Sequence, residues 1–309
     1  MGISKFPSIV TMPPAERPYP SILAFLRTRF PSVPTEIWEK RIAEGKVLDE
    51  QSAAITLETG YTPNKRIFYF REVETEKAIP FSENILFQDD EILVACKPHF
   101  LPVTPGGRYV DECLLNRLRS STGIQDLAPL HRIDRETAGI VLFSVSKKTR
   151  GLYSQLFLHG SVEKTYQALS AHVPLGDKTA WIVEDRIERG EPWFRMKTAP
   201  GAVNARSMIT LVEVKENRAR FILRPISGKT HQLRIHMSGL GFSILNDRYY
   251  PELQPESEDN FNTPLQLVAK MVRFQDPVTG ENREFVSERE LLLSSNSQNL
   301  LPPCIIVNS

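Results

Sequence analysis

Residues 131–144 read His-Arg-Ile-Asp-Arg-Glu-Thr-Ala-Gly-Ile-Val-Leu-Phe-Ser. The first half is dense in charge and the second half is apolar. An apolar run of this length reads as a strand covered on both faces. Residues 131–139 then form a loop feeding into a sheet, where a rigid scaffold holds the polar side chains. Asp134 lies between Arg132 and Arg135, whose charge favours the ionised carboxylate. A fixed, ionised carboxylate serves as a nucleophile or a general base. Taken alone, the loop reads first as a turn held by ordinary ion pairs.

Working outward, residues 85–98 read as two strands joined at Asp89-Asp90, and residues 111–119 as a helix with Leu114, Leu115 and Leu118 on one face. After the central strand come a helix over 147–159 and strands over 162–173, 208–214 and 220–225. Residues 227–241 are a loop running into a helix. Residues 251–264, with Glu256, Glu258 and Asp259, are a polar exposed loop. Closing strands over 265–272 and 283–286 are joined through Pro277-Val-Thr-Gly280. Strands with interspersed helices and short turns predict an α+β core, a large mostly antiparallel mixed sheet with flanking helices.

Upstream, prolines at 7, 13, 14, 18 and 20 keep the first 20 residues extended. A helix begins at Ser21, and a second spans 35–44 with Thr35 as N-cap and Gly45 as its end. Strands over 46–49 and 65–71 complete a small N-terminal α/β module, and residues 72–84, with Pro80, form a linker. The expected division is an N-terminal extension and module over 1–78, a large domain over 79–292 and a C-terminal tail over 293–309.

Composition excludes several classes. No apolar run is long enough to span a bilayer, and the first residues lack a basic stretch followed by an apolar one, so no membrane association or secretory signal is expected. Cys96, Cys113 and Cys304 are widely spaced, which suits neither a zinc site nor a disulfide framework and fits a reducing cytoplasm. The net charge is +1, so any nucleic-acid surface must come from local clusters of lysine and arginine.

Two further segments carry chemistry. In Val162-Glu-Lys-Thr-Tyr-Gln-Ala-Leu169, alternation puts Tyr166 on one face with Lys164 and Ala168. A strand tyrosine packs in a core, or stacks on a base and offers its hydroxyl. Arg224-Pro-Ile-Ser-Gly-Lys-Thr-His-Gln-Leu-Arg-Ile-His236 supplies a turn and a helix start, with His231 and Arg234 three apart on one helix face. A guanidinium there suits holding a carboxylate. His231 and His236 diverge and lack a third ligand, so no metal is expected. Ser227-Gly-Lys-Thr resembles the end of a P-loop, but position 223 is Leu where the cradle needs glycine, which counts against phosphoryl transfer. His-Arg-x-Asp resembles a kinase catalytic loop, yet Ile133 intervenes, Gly139 stands in the asparagine position and no glycine-rich loop precedes it.

Taken in order, these segments resemble the large-subunit-type (RluA) family of RNA pseudouridine synthases. The matching stretches are His131 to Gly139, Lys164-Thr-Tyr-Gln-Ala168, Gly228-Lys-Thr-His-Gln-Leu-Arg-Ile-His236, Cys96-Lys-Pro98 and Pro277-Val-Thr-Gly280. The helix Trp38 to Gly45 and the turn into Val47 are similar to an S4-like RNA-binding module, which members of that family often carry. The resemblance implies isomerisation of uridine to pseudouridine in structured RNA, ribosomal RNA before tRNA, by a cytoplasmic monomer without metal or organic cofactor. It implies Asp134 as catalytic carboxylate, Tyr166 against the target base and Arg234 as the partner of Asp134. His131, Arg132, Arg135, Lys229 and His231 are then expected to bind substrate. Lys229 in place of arginine, Val268 in place of histidine and Asn246 in place of glycine depart from the pattern and bear on substrate preference. The competing reading is a non-catalytic RNA-binding or assembly protein that keeps the fold.

Overall fold

A computed structural model describes residues 2–291 apart from positions 5, 15–17, 32 and 74. The tail expected over 293–309 lies outside the described residues. The chain divides into two compact units, one of residues 1–77 and 105–112 and the other of residues 78–104 and 113 onward.

In the first unit the elements are β1 (Gly2–Ile3), β2 (Ser8–Thr11), α1 (Ile22–Arg29), α2 (Thr35–Ala43), β3 (Val47–Leu48), β4 (Arg66–Tyr69) and β5 (Glu72–Val73). Ser21 caps α1, its hydroxyl accepting from the Ala24 N–H at 3.2 Å. Thr35 is the first helical residue of α2, and Pro34 takes the cap position expected for Thr35. The proline ring presets φ at the start of a helix, where its missing N–H costs nothing. The sheet order is β2-β4-β3, and both helices pack on it through Phe25, Leu26, Trp38 and Ile42. Residues 105–112 join this unit because the Glu76 carboxylate accepts the N–H groups of Val110, Asp111 and Glu112 at 2.6, 2.9 and 2.8 Å. The expected linker is thus partly structured, since β5 pairs with β1.

The second unit contains β6 (Asn84–Gln88), β7 (Ile92–Lys97), α3 (Leu114–Thr122), β8 (Ala128–Pro129), β9 (Ala138–Ser144), α4 (Arg150–Leu158), β10 (Glu163–Ser170), β11 (Ala180–Arg189), β12 (Met196–Ala199), β13 (Ala205–Lys215), β14 (Arg218–Pro225), α5 (Gln232–Gly239), β15 (Leu267–Gln275) and β16 (Asn282–Val286). They form an 11-stranded mixed sheet in the order β12-β11-β13-β14-β10-β15-β9-β7-β6, with β16 on β15 and β8 on β9. Every residue of β9 is buried, as the apolar run predicts. Strand β10 lies near the middle of the order, between β14 and β15. Val162, just before it, belongs to a core with Tyr153 of α4, while Ala168 belongs to a core with Leu233 and Met237 of α5. Tyr166 packs against this second core, and Lys164 lies between Val162 and Tyr166 on the strand. Among the described residues no helix is long and apolar enough to cross a membrane.

The charged loop meets the sheet at one tight junction. Strands β9 and β15 make the one parallel pairing among the described strands, at Ala138–Val268 and Gly139–Ala269. Gly139 has φ +114°, and a Cβ there would stand 2.2 Å from the Ala269 carbonyl oxygen. Only glycine permits both the dihedral and the approach. Gly139→Ala is expected to lower stability by at least about 2 kcal/mol, read as the shift of the urea unfolding midpoint, because both the clash and the strain fall on backbone.

Candidate active site

Asp134 lies in the loop between β8 and β9, its side chain 25% exposed. A turn closed by the Thr137 N–H on the Asp134 carbonyl at 3.1 Å shapes the loop. Arg234 reaches Asp134 from α5, with Nη1 at 3.5 Å from Oδ2 and only 1% of its side chain exposed. A buried guanidinium needs more than one distant carboxylate. Asp247 supplies the rest, accepting from Nε at 2.8 Å and from Nη2 at 2.6 Å in a two-pronged pair. Asp247 is itself held by the N–H groups of Tyr249 and Tyr250 at 2.8 and 3.2 Å. The guanidinium lies over the Tyr249 ring at 4.7 Å and the Tyr250 ring at 5.6 Å. Burial alone would lower the pKa of Arg234, but the hydrogen bonds and charge of Asp247, with Asp134 and Glu136, raise it above its ordinary value. Arg234 is therefore a permanent cation.

His231 is the N-cap of α5 with φ +55°, so it precedes the helix instead of sharing a helix face with Arg234. The left-handed turn still brings its Nε2 to 4.0 Å from Asp134 Oδ1. Its Nδ1 lies 2.9 Å from the Tyr250 hydroxyl, which donates to the Met196 carbonyl and accepts the Met196 N–H. With its proton committed to Met196, the hydroxyl must accept from His231, which fixes the imidazole hydrogen on Nδ1. Burial lowers the pKa of His231, so the ring is neutral and Nε2 faces Asp134 with a bare lone pair.

The loop backbone is pinned from the other side. Lys97 is fully buried, and its ammonium donates to the carbonyls of Pro98, Leu101 and Arg135 at 2.9, 2.7 and 3.0 Å. Burial pushes Lys97 down to about 7, against the pull of Glu136 and Asp134. His99 donates from Nδ1 to the Glu136 carbonyl at 2.6 Å. Tyr166 lies on the Lys164 face of β10, and burial, together with the Asp134 charge, raises its pKa, so it stays a neutral phenol. Among the described residues no group of three His, Cys, Asp or Glu is placed to hold a metal.

Residues 91–239 match the family model described as RNA pseudouridylate synthase. The chain is 30% identical over 207 residues to the dual-specificity RNA pseudouridine synthase RluA of Haemophilus influenzae, a match covering 65% of this chain and 91% of that one. It is 31% identical over 216 residues to the RluA of Pasteurella multocida, covering 64% and 89%. This chain belongs to the RNA pseudouridine synthase family. The solved structure of human RNA pseudouridylate synthase domain containing 4 superimposes with a TM-score of 0.52 at 25% identity, covering 67% of this chain and 88% of that one.

Within this synthase domain the expected site residues have different surroundings. Asp134, Arg234 and His231 come together, with Tyr166 close enough to feel the Asp134 charge. Arg135 turns away from Asp134. It pairs with Glu136 at 2.9 Å and grips Asp259 of the 251–264 segment with two bonds of 2.8 Å. Its charge is thus neutralised by protein carboxylates, and Arg234 supplies the cation that faces Asp134. His131 stacks on Phe157 at 4.6 Å and accepts the Leu142 N–H at Nε2, so it acts as a joint between loop and sheet. Arg132 and Lys229 are exposed and have no acidic partner among the described residues. Sequence reading missed Asp247, Glu136, Lys97 and His99 as site residues. One signal was available: Arg234 stands between the apolar residues Leu233 and Ile235, and an arginine in such a stripe demands a carboxylate elsewhere.

Two measurements test this network. Asp247→Ala removes the two-pronged partner of a buried cation and is expected to cost about 3–5 kcal/mol in urea unfolding. Burial lowers His99 to about 4, and burial with the nearby Lys164 charge lowers His131 to about 3, both from 6.5. The unfolded chain therefore takes up protons first. The stability of the neutral rings is complete above pH 6.5 and is lost as pH falls towards 4 and 3. Between pH 7 and pH 5 the thermal midpoint should fall, and His131→Gln should flatten part of that fall.

Proposed function

We propose that this chain isomerises uridine to pseudouridine in structured RNA, with Asp134 as the catalytic carboxylate. The supporting observation is the placement of Asp134 at the mouth of a buried, fully paired arginine, which fixes its orientation while leaving a quarter of the side chain open to a ligand. The reaction breaks the N1–C1′ bond, turns the uracil and forms a C5–C1′ bond, and the hydrogen on C5 is released. A stacked uridine must leave the helix before its ribose carbon is within reach of the carboxylate. Tyr166 packs against the extruded base as a neutral phenol, and Arg132 fills the gap left in the stack. Arg132, Lys229 and His231 contribute to substrate binding. No metal or organic cofactor enters the reaction.

Residues 79–292 are the catalytic domain in this reading, and residues 1–78 are an S4-like RNA-binding module. Arg27 and Arg29 in the last turn of α1 support an RNA role for that module, since neither has an acidic partner among the described residues. Most of its other cations are paired: Lys46 with Glu44 and Glu72, and Lys65 and Arg66 with Glu50. Ribosomal RNA is the favoured substrate and tRNA the second. The cytoplasm, where thiols stay reduced, suits the buried free Cys96 and Cys113.

Tritium release from ribosomal RNA transcribed with uridine labelled at C5 tests the reaction. The wild-type chain is expected to release tritium in proportion to uridine converted. Asp134→Asn should keep the wild-type melting temperature and lose about a thousand-fold or more in rate. Tight RNA binding without release would identify a non-catalytic RNA-binding protein.

A further inference from the structure

The cations nearest Asp134 are already neutralised. Arg234 is held by Asp247, Asp134 and Glu136, and Arg135 by Glu136 and Asp259. With Lys97 buried against carbonyls, this cluster sets three positive charges against four carboxylates. Such a cluster offers no net positive charge to an approaching polyanion. The attraction an RNA enzyme needs must come from other side chains.

Lys164 is of a different kind. It is half-buried on β10, two residues before Tyr166 on the same strand face. Its ammonium has no carboxylate or hydrogen-bond acceptor among the described residues. The Nζ atom lies 3.9 Å from where a Cβ on Gly228 would stand, so it sits over the turn that presents Lys229. Its charge also reaches His131 at the start of the Asp134 loop. Burial alone acts on its ionisation, and it lowers the pKa. A partly desolvated ammonium without a partner is unfavourable, and an apolar or amide side chain would fill the same space without that penalty. The arrangement becomes favourable when an anion supplies the missing partner.

We propose that Lys164 binds a phosphate of the substrate, its ammonium holding a non-bridging oxygen of the phosphodiester that flanks the target uridine. The assignment rests on the pseudouridine synthase reading above. A lysine suits the role because it is a compact point charge that a phosphate oxygen can meet from several directions. A two-residue step along the strand sets it about 7 Å from Tyr166, which lets one nucleotide present its base to the tyrosine and its phosphate to the lysine.

The test follows the affinity of the full chain for a fluorescein-labelled stem–loop RNA with uridines in its loop, over a range of KCl concentrations. Lys164→Met keeps the aliphatic stem and removes the charge. It should lower the slope of log K against log [KCl] by about 0.7–0.9, the value of one phosphate contact. Its melting temperature should be unchanged or higher, and Lys164→Arg should restore the slope. A wild-type slope in Lys164→Met would overturn the assignment. Neutral methylphosphonate linkages stepped through the probe loop give a second readout. One linkage should weaken the wild-type chain and leave Lys164→Met unaffected; if every linkage weakens both alike, Lys164 touches no phosphate. Should Lys164→Met not fold, Lys164→Gln takes its place in both measurements. Tritium release is read separately. A wild-type chain with the phosphate-dependent slope but no release would sink the proposed reaction and leave the phosphate contact standing.

Discussion

The two-pronged bond between Arg234 and Asp247 is the constraint on which the site depends. Both side chains are 1% exposed, so both are removed from water and each requires the other. The pair fixes the guanidinium plane, and that plane decides which donor remains for Asp134. Tyr249 and Tyr250 close over the cation, and their N–H groups complete the lone pairs of Asp247. The Tyr250 hydroxyl then fixes the hydrogen on His231. One buried ion pair thereby orients three groups around the open carboxylate.

The carboxylate is also fixed through its own backbone. Lys97 and His99 hold the two carbonyls that follow Asp134 in the loop, those of Arg135 and Glu136. A few residues later Gly139 lets β15 approach β9 at a distance that no side chain permits. Asp134 thus lies on a short loop whose two halves are tied to different parts of a rigid sheet. Such fixation gives a catalytic group its orientation before a ligand arrives, so little order has to be imposed when one does.

The sequence was most legible where its pattern was strongest. The buried run of β9, the β6–β7 hairpin and the alternating strands around Tyr166 stand close to their expected positions. Strands β11 and β12 were not foreseen. The β11 segment turns Trp181, Val183 and Ile187 inward, but Asp185 interrupts that face, Ile182 lies on the outer one, and Glu184, Arg186, Glu188 and Arg189 add charge, so the alternation is masked. It is a strand because β13 offers it an edge to pair with. Thr35 and His231 were each assigned a place that the structure gives to a neighbouring position, because helix boundaries depend on a local cap geometry that residue type only biases.

The sequence by itself determined the class of the core and the charged loop that precedes a buried strand, since these depend on local composition and periodicity. Tertiary structure decided which cation faces which carboxylate. Arg135 stands next to Asp134 in the chain, yet it is drawn to Asp259, 124 residues away, while Arg234 arrives from 100 residues away to face the carboxylate. Ion pairing depends on distance through space and on burial, and neither is a property of sequence neighbours. The same reason left Lys164 without an acidic partner on the strand that carries Tyr166.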